Sequence, residues 1–188
     1  HDVFFVHETK STAGKQMIDE WNISPHHSEY LLVYDKKYTK ISTGKIGLQL
    51  AKAEQKDFEQ MLKLNAAIFG KEVDYNDILK KSMTGENILC YKVLLGGAII
   101  GVCNVNRTNN ELFIFGLGIE PAHRGNGFGR ALLAELIAQL TQNYQDDIML
   151  EVDSENAAAH ALYTTSGFIV KTQYDYYERT TDDIATSL

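Results

Sequence analysis

The stretch Gly118-Ile119-Glu120-Pro121-Ala122-His123-Arg124-Gly125-Asn126-Gly127-Phe128-Gly129-Arg130 constrains this chain more than any other. An apolar run, Leu112 to Ile119, stops at Pro121, whose missing N–H cannot continue a ladder. Glycines alternate at 125, 127 and 129, and a helical pattern begins at once: Phe128, Leu132, Leu133, Leu136, Ile137 and Leu140 share one side. Glycine lets the backbone take φ > 0 and lets a ligand approach the main chain closely. The first N–H groups of a helix have no partner of their own, and the helix dipole adds to their pull on an anion. Strand, glycine loop and helix therefore predict an anion site, most naturally filled by phosphate. Each hydrogen bond to a charged group contributes roughly 1.5–3 kcal/mol, so three or four hold a pyrophosphate firmly. Other glycine loops fit worse. A dinucleotide fingerprint, Gly-x-Gly-x-x-Gly, puts Arg130 at its last place counted from Gly125, and Leu132 counted from Gly127. The Gly-Lys-Ser/Thr of a nucleoside triphosphate loop is absent.

Around that loop the patterning predicts a mixed sheet with helices on its faces. Ile46 to Ala51 reads as a strand, Lys56 to Phe69 as an amphipathic helix, and Tyr75 to Met83 as a shorter helix capped by Asp74. Ile88 to Leu94, Leu95-Gly96-Gly97 and Ala98 to Val105 read as a β-hairpin. The polar turn Arg107 to Asn110 leads into Leu112 to Ile119, expected as a central strand covered on both sides. The helix Phe128 to Leu140, the strand Ile148 to Val152, the helix Ala157 to Thr165 and one or two closing strands over Phe168 to Tyr177 follow. Before all this, Asp2 to His7, Ser11 to Glu20 and Tyr30 to Tyr34 give a β-α-β order. A polar linker with Lys36, Lys37 and Lys40 then runs to Gly44. Shifting this segment by 146 positions sets Val6 on Val152, Ala13 on Ala159 and Tyr30 on Tyr176. The match rests on element order, and an N-terminal arm packed on the sheet is the competing reading.

Composition narrows the partners. Among 188 residues, 25 Asp and Glu against 18 Lys and Arg leave a net charge of -7 without a basic cluster. Nucleic acid is therefore an unexpected partner, and a cationic small molecule or peptide a better one. The longest uncharged apolar stretch, Val93 to Cys103, holds three glycines and falls short of the ~18 residues of a membrane span, so no membrane is expected. Cys90 and Cys103 make no disulfide framework and have no metal-ligand spacing; a reducing cytoplasm and no metal are expected. The first residue is His1, which reads as a tagged, processed or trimmed chain.

Arg124-Gly125-x-Gly127-x-Gly129 after a strand and Pro121 resembles the acetyl-CoA loop of the GNAT superfamily of N-acetyltransferases. Some thirty residues on, Asn156-Ala157-Ala158-Ala159-His160-Ala161-Leu162-Tyr163-Thr164-Thr165-Ser166-Gly167-Phe168 resembles that family's Asn-x-x-Ala-x-x-Leu-Tyr-x-x-x-Gly-Phe segment. The resemblance spans about Lys45 to Arg179 and implies a GNAT-like α/β domain over 44–188. Its sheet would be mixed, mostly antiparallel and flanked by helices. Residues 1–43 are then a β-α-β extension, read as the remnant of a degenerate GNAT-like unit in a tandem protein. In the 146-residue superposition Met17 stands where Tyr163 does, and no glycine loop precedes it.

The resemblance also implies roles. Main-chain groups of Leu117 and Ile119 would pair with the pantetheine arm, and N–H groups of Arg124, Gly125, Asn126, Gly127, Phe128, Gly129 and Arg130 would cradle the diphosphate. Asn156 would meet the cofactor, a helix cap being its other reading. Tyr163 would protonate the leaving thiolate, which a phenol of pKa near 10 can do when held close. Glu111, thirteen residues before Arg124, resembles the position of a catalytic glutamate in some members; Glu151 and Asp153 are alternatives. The implied reaction moves acetyl from acetyl-CoA to a primary amine by direct attack. No Cys or Ser shows an activating partner for a covalent route. A CoA-binding regulatory module without turnover and a transferase for a larger acyl group remain open readings, as does a homodimer. Remaining candidates are bland: the His26-His27 pair lacks further ligands at metal spacing, and Tyr174, Tyr176 and Tyr177 suit an ordinary strand.

Overall fold

The computed structural model describes residues 3–21, 23–38, 47–71, 73–108 and 110–179. In chain order the elements are β1 (Val3–Glu8), α1 (Thr12–Trp21), β2 (His27–Tyr34), β3 (Leu48–Lys52), α2 (Phe58–Phe69) and α3 (Tyr75–Thr84). Then come β4 (Ile88–Leu95), β5 (Ala98–Thr108), β6 (Glu111–Ile119), α4 (Phe128–Asn143), β7 (Asp147–Asp153), α5 (Ala157–Thr164) and β8 (Phe168–Arg179). Asp2, Lys40, Gly44 and Ile46 lie outside the described residues. Among the described residues no helix is long and apolar enough to cross a membrane.

Backbone contacts divide the chain into two compact units. One comprises residues 36–150; the other joins the described parts of 1–35 and 151–188. β8 hydrogen-bonds to both β1 and β2, which joins the N-terminal segment to the chain's end in one unit.

In the unit of residues 36–150 the strand order is β7-β6-β5-β4-β3, antiparallel except for the β6–β7 pair. The hairpin forms as the paired glycines predict, with Gly96 at φ 57 and Gly97 at φ 88. Asp74 caps α3 by accepting from the amide of Asn76. Helices α2 and α3 bury Met61, Leu64 and Leu79 against Cys90 of β4 and Val102 of β5. Helix α4 buries Ala131, Leu132, Leu133, Leu136, Ile137 and Leu140. Strand β6 is less enclosed than its apolar sequence predicts: Leu112, Ile114 and Ile119 are buried, but Phe113 and Phe115 are half-buried. Helix α2 covers this face at Gly118, where any side chain would collide with Ile68.

In the second unit β8 is one continuous strand between β1 and β2, both antiparallel to it. Phe5 stacks on Tyr177 at 4.8 Å and meets Trp21 edge-on at 5.4 Å, which seats α1. β2 pairs with β8 from His27↔Tyr176 to Tyr34↔Phe168, with a register shift between Leu31 and Leu32.

Candidate active site

Within this unit strand β6 pairs in parallel with β7 from Glu111↔Asp147 to Ile114↔Leu150. It continues through Phe115–Ile119, a main-chain edge roughly 16 Å long at about 3.3 Å per residue. On its other side β6 stays paired with β5, through a bulge: Gly116 and Leu117 together oppose Cys103, between Val102↔Gly118 and Asn104↔Phe115. Gly116 takes φ 56, a backbone that only glycine adopts cheaply, so it shapes the bulge rather than merely loosening the strand. Leu117 and Ile119, expected to pair with a cofactor arm, both lie in this last stretch of β6.

The edge leads into the glycine loop. Pro121–His123 form one 3-10 turn, closed by the Arg124 amide donating to the Pro121 carbonyl at 3.2 Å. That amide therefore has its partner within the turn. The Arg124 guanidinium braces the loop, donating from Nε to the Ile119 carbonyl and from Nη2 to the Ile68 carbonyl, both at 3.0 Å. Asn126 folds its Nδ2 onto the carbonyls of His123 and Arg124 at 3.2 and 3.1 Å. The His123 Nδ1 lies 3.0 Å from the Glu120 carboxylate. Gly127, the N-cap of α4, takes φ 79 and carries no side chain to satisfy the helix end. The first helical bond runs from Ala131 N to Gly127 O, so the helix itself supplies no carbonyl to the amides of Phe128, Gly129 and Arg130. An amide-lined helix start of this kind can hold an anion such as a diphosphate.

Glu111 stands at the opposite end of β6, exposed, across from Thr108 and Asp147. Eight strand residues separate it from Ile119, about 26 Å. Both cysteines of this unit are buried, which pushes the Cys90 thiol up to about 11 and the Cys103 thiol higher still. Neither is a thiolate nucleophile at neutral pH.

The second motif lies in the other unit. Asn156 is the cap of α5, its Oδ1 accepting from the Ala159 amide at 3.1 Å. Tyr163 is buried in α5, edge-on to Phe168 at 5.9 Å. On one face of the strands, Glu151 of β7 is half-buried beside Glu29 of β2, with Tyr174 and Tyr176 of β8. Burial, and then the charge and hydrogen bond of Glu29, hold the Glu151 carboxyl above its ordinary range. Burial and the two carboxylates push the Tyr176 hydroxyl up to about 12. His27 stacks on Tyr176 at 4.4 Å, its Nε2 3.9 Å from Glu29. Tyr174 and Tyr176 are thus not merely strand aromatics, whereas Tyr177 faces Phe5 on the other side. The sequence signal for Glu29 was present but faint: under the 146-residue shift it falls on Asp175 of β8.

Residues 50–168 match the model of the acetyltransferase (GNAT) family. The chain is 34% identical over 101 residues to the [ribosomal protein bS18]-alanine N-acetyltransferase of Escherichia coli (strain K12), covering 54% of this chain and 68% of that one. Its fold is similar to that of a GCN5-related N-acetyltransferase from Sphaerobacter thermophilus, with a TM-score of 0.75 and 17% identity. That likeness covers 95% of this chain and spans only 59% of the other. It is also similar to the PaiA N-acetyltransferase from Thermoplasma acidophilum in complex with coenzyme A, with a TM-score of 0.56 and 15% identity, over 69% of this chain and 99% of that one.

Proposed function

The chain belongs to the acetyltransferase (GNAT) family, and from that premise we propose that it moves acetyl from acetyl-CoA to a primary amine of a small molecule or peptide by direct attack. The observation that carries this reading is the amide-lined start of α4, reached from the end of β6 through the glycine loop. Leu117 and Ile119 pair with the pantetheine arm, while the amides of Gly125 to Arg130 hold the diphosphate, with Asn156 as a further cofactor contact. The amine nitrogen attacks the thioester carbon, the C–S bond breaks, the departing thiolate takes the Tyr163 hydroxyl proton, and the proton shed by the acetylated nitrogen restores the phenol.

The amine must first lose a proton. At pKa near 10, baring its lone pair at pH 7 costs about 4 kcal/mol, so a nearby carboxylate helps. Glu111 is one candidate from its place before the loop. A specific observation favours Glu151: half-burial beside Glu29 raises its proton affinity above that of an ordinary glutamate, which suits a group that must accept a proton. Holding amine and thioester together supplies more, ~7–11 kcal/mol against the 10²–10⁴-fold of base catalysis.

A net charge of -7 supports a cationic acceptor. The Escherichia coli relative is named for an alanine of a ribosomal protein, which makes peptides with a free N-terminal alanine the first acceptors to test. Purified protein is offered acetyl-CoA with such peptides and small polyamines, and thiol release is followed. Release with at least one amine is the expected result. Tight CoA binding without release for any amine points to a regulatory module, and preference for a longer acyl-thioester to a different transferase.

A further inference from the structure

In the buried run of β5, Ile100-Gly101-Val102-Cys103-Asn104-Val105, Asn104 is the single carboxamide. Cys103 and Val105 beside it are fully buried and Asn104 itself is only 8% exposed. Its Oδ1 is enclosed and accepts no hydrogen bond. A buried amide oxygen without a donor is destabilising, and an apolar residue would pack there without that cost. The position explains why a polar group stands there. Asn104 pairs with Phe115, at the last step before the bulge of β6. A Cβ on Gly116 would come within 3.0 Å of the Asn104 Nδ2, so the carboxamide lies against the one residue of the bulge that has no side chain. Ile114, which pairs with Leu150 of β7, is two positions away. The edge of β6 that leads to the glycine loop continues from this point.

On the proposed reading the diphosphate sits at the loop end of that edge, beyond Ile119, and the arm runs back along β6. Its thioester end then falls beside Gly116, three strand residues or about 10 Å from Ile119. We infer that Asn104 is a positioning residue whose Oδ1 accepts an N–H hydrogen bond at the reacting end, from an amide of the pantetheine arm or from the acceptor amine. An amide oxygen orients an N–H without removing its proton, so this role is separate from that of the base.

This inference rests on the CoA reading, and its test keeps the two failures apart. Calorimetry on the wild-type protein with CoA, together with the amine panel, examines the reading itself; no binding, or no acetylated amine, sinks both. Asn104→Leu, with Asn104→Val as a second packing solution, examines Asn104. Both variants should melt at or above the wild-type temperature, since an unpartnered buried amide is removed. If the arm is the donor, CoA affinity falls about tenfold or more while affinity for adenosine 3′-phosphate 5′-diphosphate, which lacks the arm, is unchanged. If the amine is the donor, CoA affinity is unchanged and KM for the best amine of the panel rises about tenfold or more. Lower melting temperatures with both substrate constants unaltered would show an amide that only supports the fold, and would overturn the inference.

Discussion

Arg124 reaches from the glycine loop to the last turn of α2, where its Nη2 donates to the Ile68 carbonyl at 3.0 Å. The same guanidinium holds the Ile119 carbonyl through Nε, so one side chain ties the end of a strand, the loop and the end of a helix. A cation suits the carbonyl end of a helix, where the dipole is negative.

Arg124→Lys should therefore loosen the loop although the charge is kept, because an ammonium lacks the planar fork that reaches two carbonyls at once. With charge-assisted hydrogen bonds worth roughly 1.5–3 kcal/mol each, loss of one predicts CoA binding weakened about tenfold or more. The melting temperature should fall by a few degrees. Titration calorimetry and thermal melts measure both; an unaltered CoA affinity would show that loop geometry does not depend on this brace.

Glu151 makes stability, and on the proposed reading activity, depend on pH. Its folded-state proton affinity is raised by burial and by Glu29, so the carboxylate is present only above an ordinary glutamate's range. Between the unfolded pKa near 4.5 and the raised folded value, the native state binds more protons than the unfolded one. Stability therefore falls as pH rises through that window. Glu151→Gln should lower kcat by 10²–10⁴-fold if Glu151 is the base, yet raise the melting temperature at pH 7–8. That stability difference should shrink below the window, near pH 4. Glu29→Gln should move the acid limb of the rate profile to lower pH, since a like charge is removed. Glu111→Gln is expected to change the rate less than threefold, and a larger loss there than in Glu151→Gln would reverse the choice of base.

Tyr163→Phe removes a hydroxyl and leaves the ring that packs edge-on to Phe168. Its fold and CoA affinity should stay close to wild type, while the chemical step slows about 10²-fold or more without an acid for the thiolate. The contrast between kcat and CoA affinity is the measurement. Equal rates for variant and wild type would remove Tyr163 from the reaction.

What could be read from the chain beforehand was whatever local physics decides. The Gly96-Gly97 turn, the Asp74 cap and the apolar face of α4 depend on neighbours within a few positions, and each is where patterning put it. The glycine loop was legible for the same reason. Long-range pairing was not. Nothing in Gly116 announces that it shares a bulge with Leu117 opposite Cys103, because that depends on how β5 and β6 align. Glu29 lies 122 positions from Glu151, and only the pairing of β2 with β8 shows which strand face it occupies. Arg124 looked like a ligand because the motif contains it, whereas its side chain serves two carbonyls of its own unit.

Gly125 and Gly96 separate backbone strain from ligand contact. Both sit at positive φ, 79 and 57, and a Cβ at either would meet nothing within 4 Å. Alanine at each therefore carries a similar left-handed backbone cost, about 1–2 kcal/mol, and no clash inside the protein. Gly96 turns the hairpin between β4 and β5, whereas Gly125 lies in the loop leading to α4. The two variants should lose comparable melting temperature, a few degrees each. Gly125→Ala should also weaken CoA binding by about tenfold or more, since its methyl group occupies the approach to the main chain that a diphosphate needs. Gly96→Ala should bind CoA as the wild-type protein does. Equal CoA affinities in the two variants, measured side by side by calorimetry, would place the anion away from this loop.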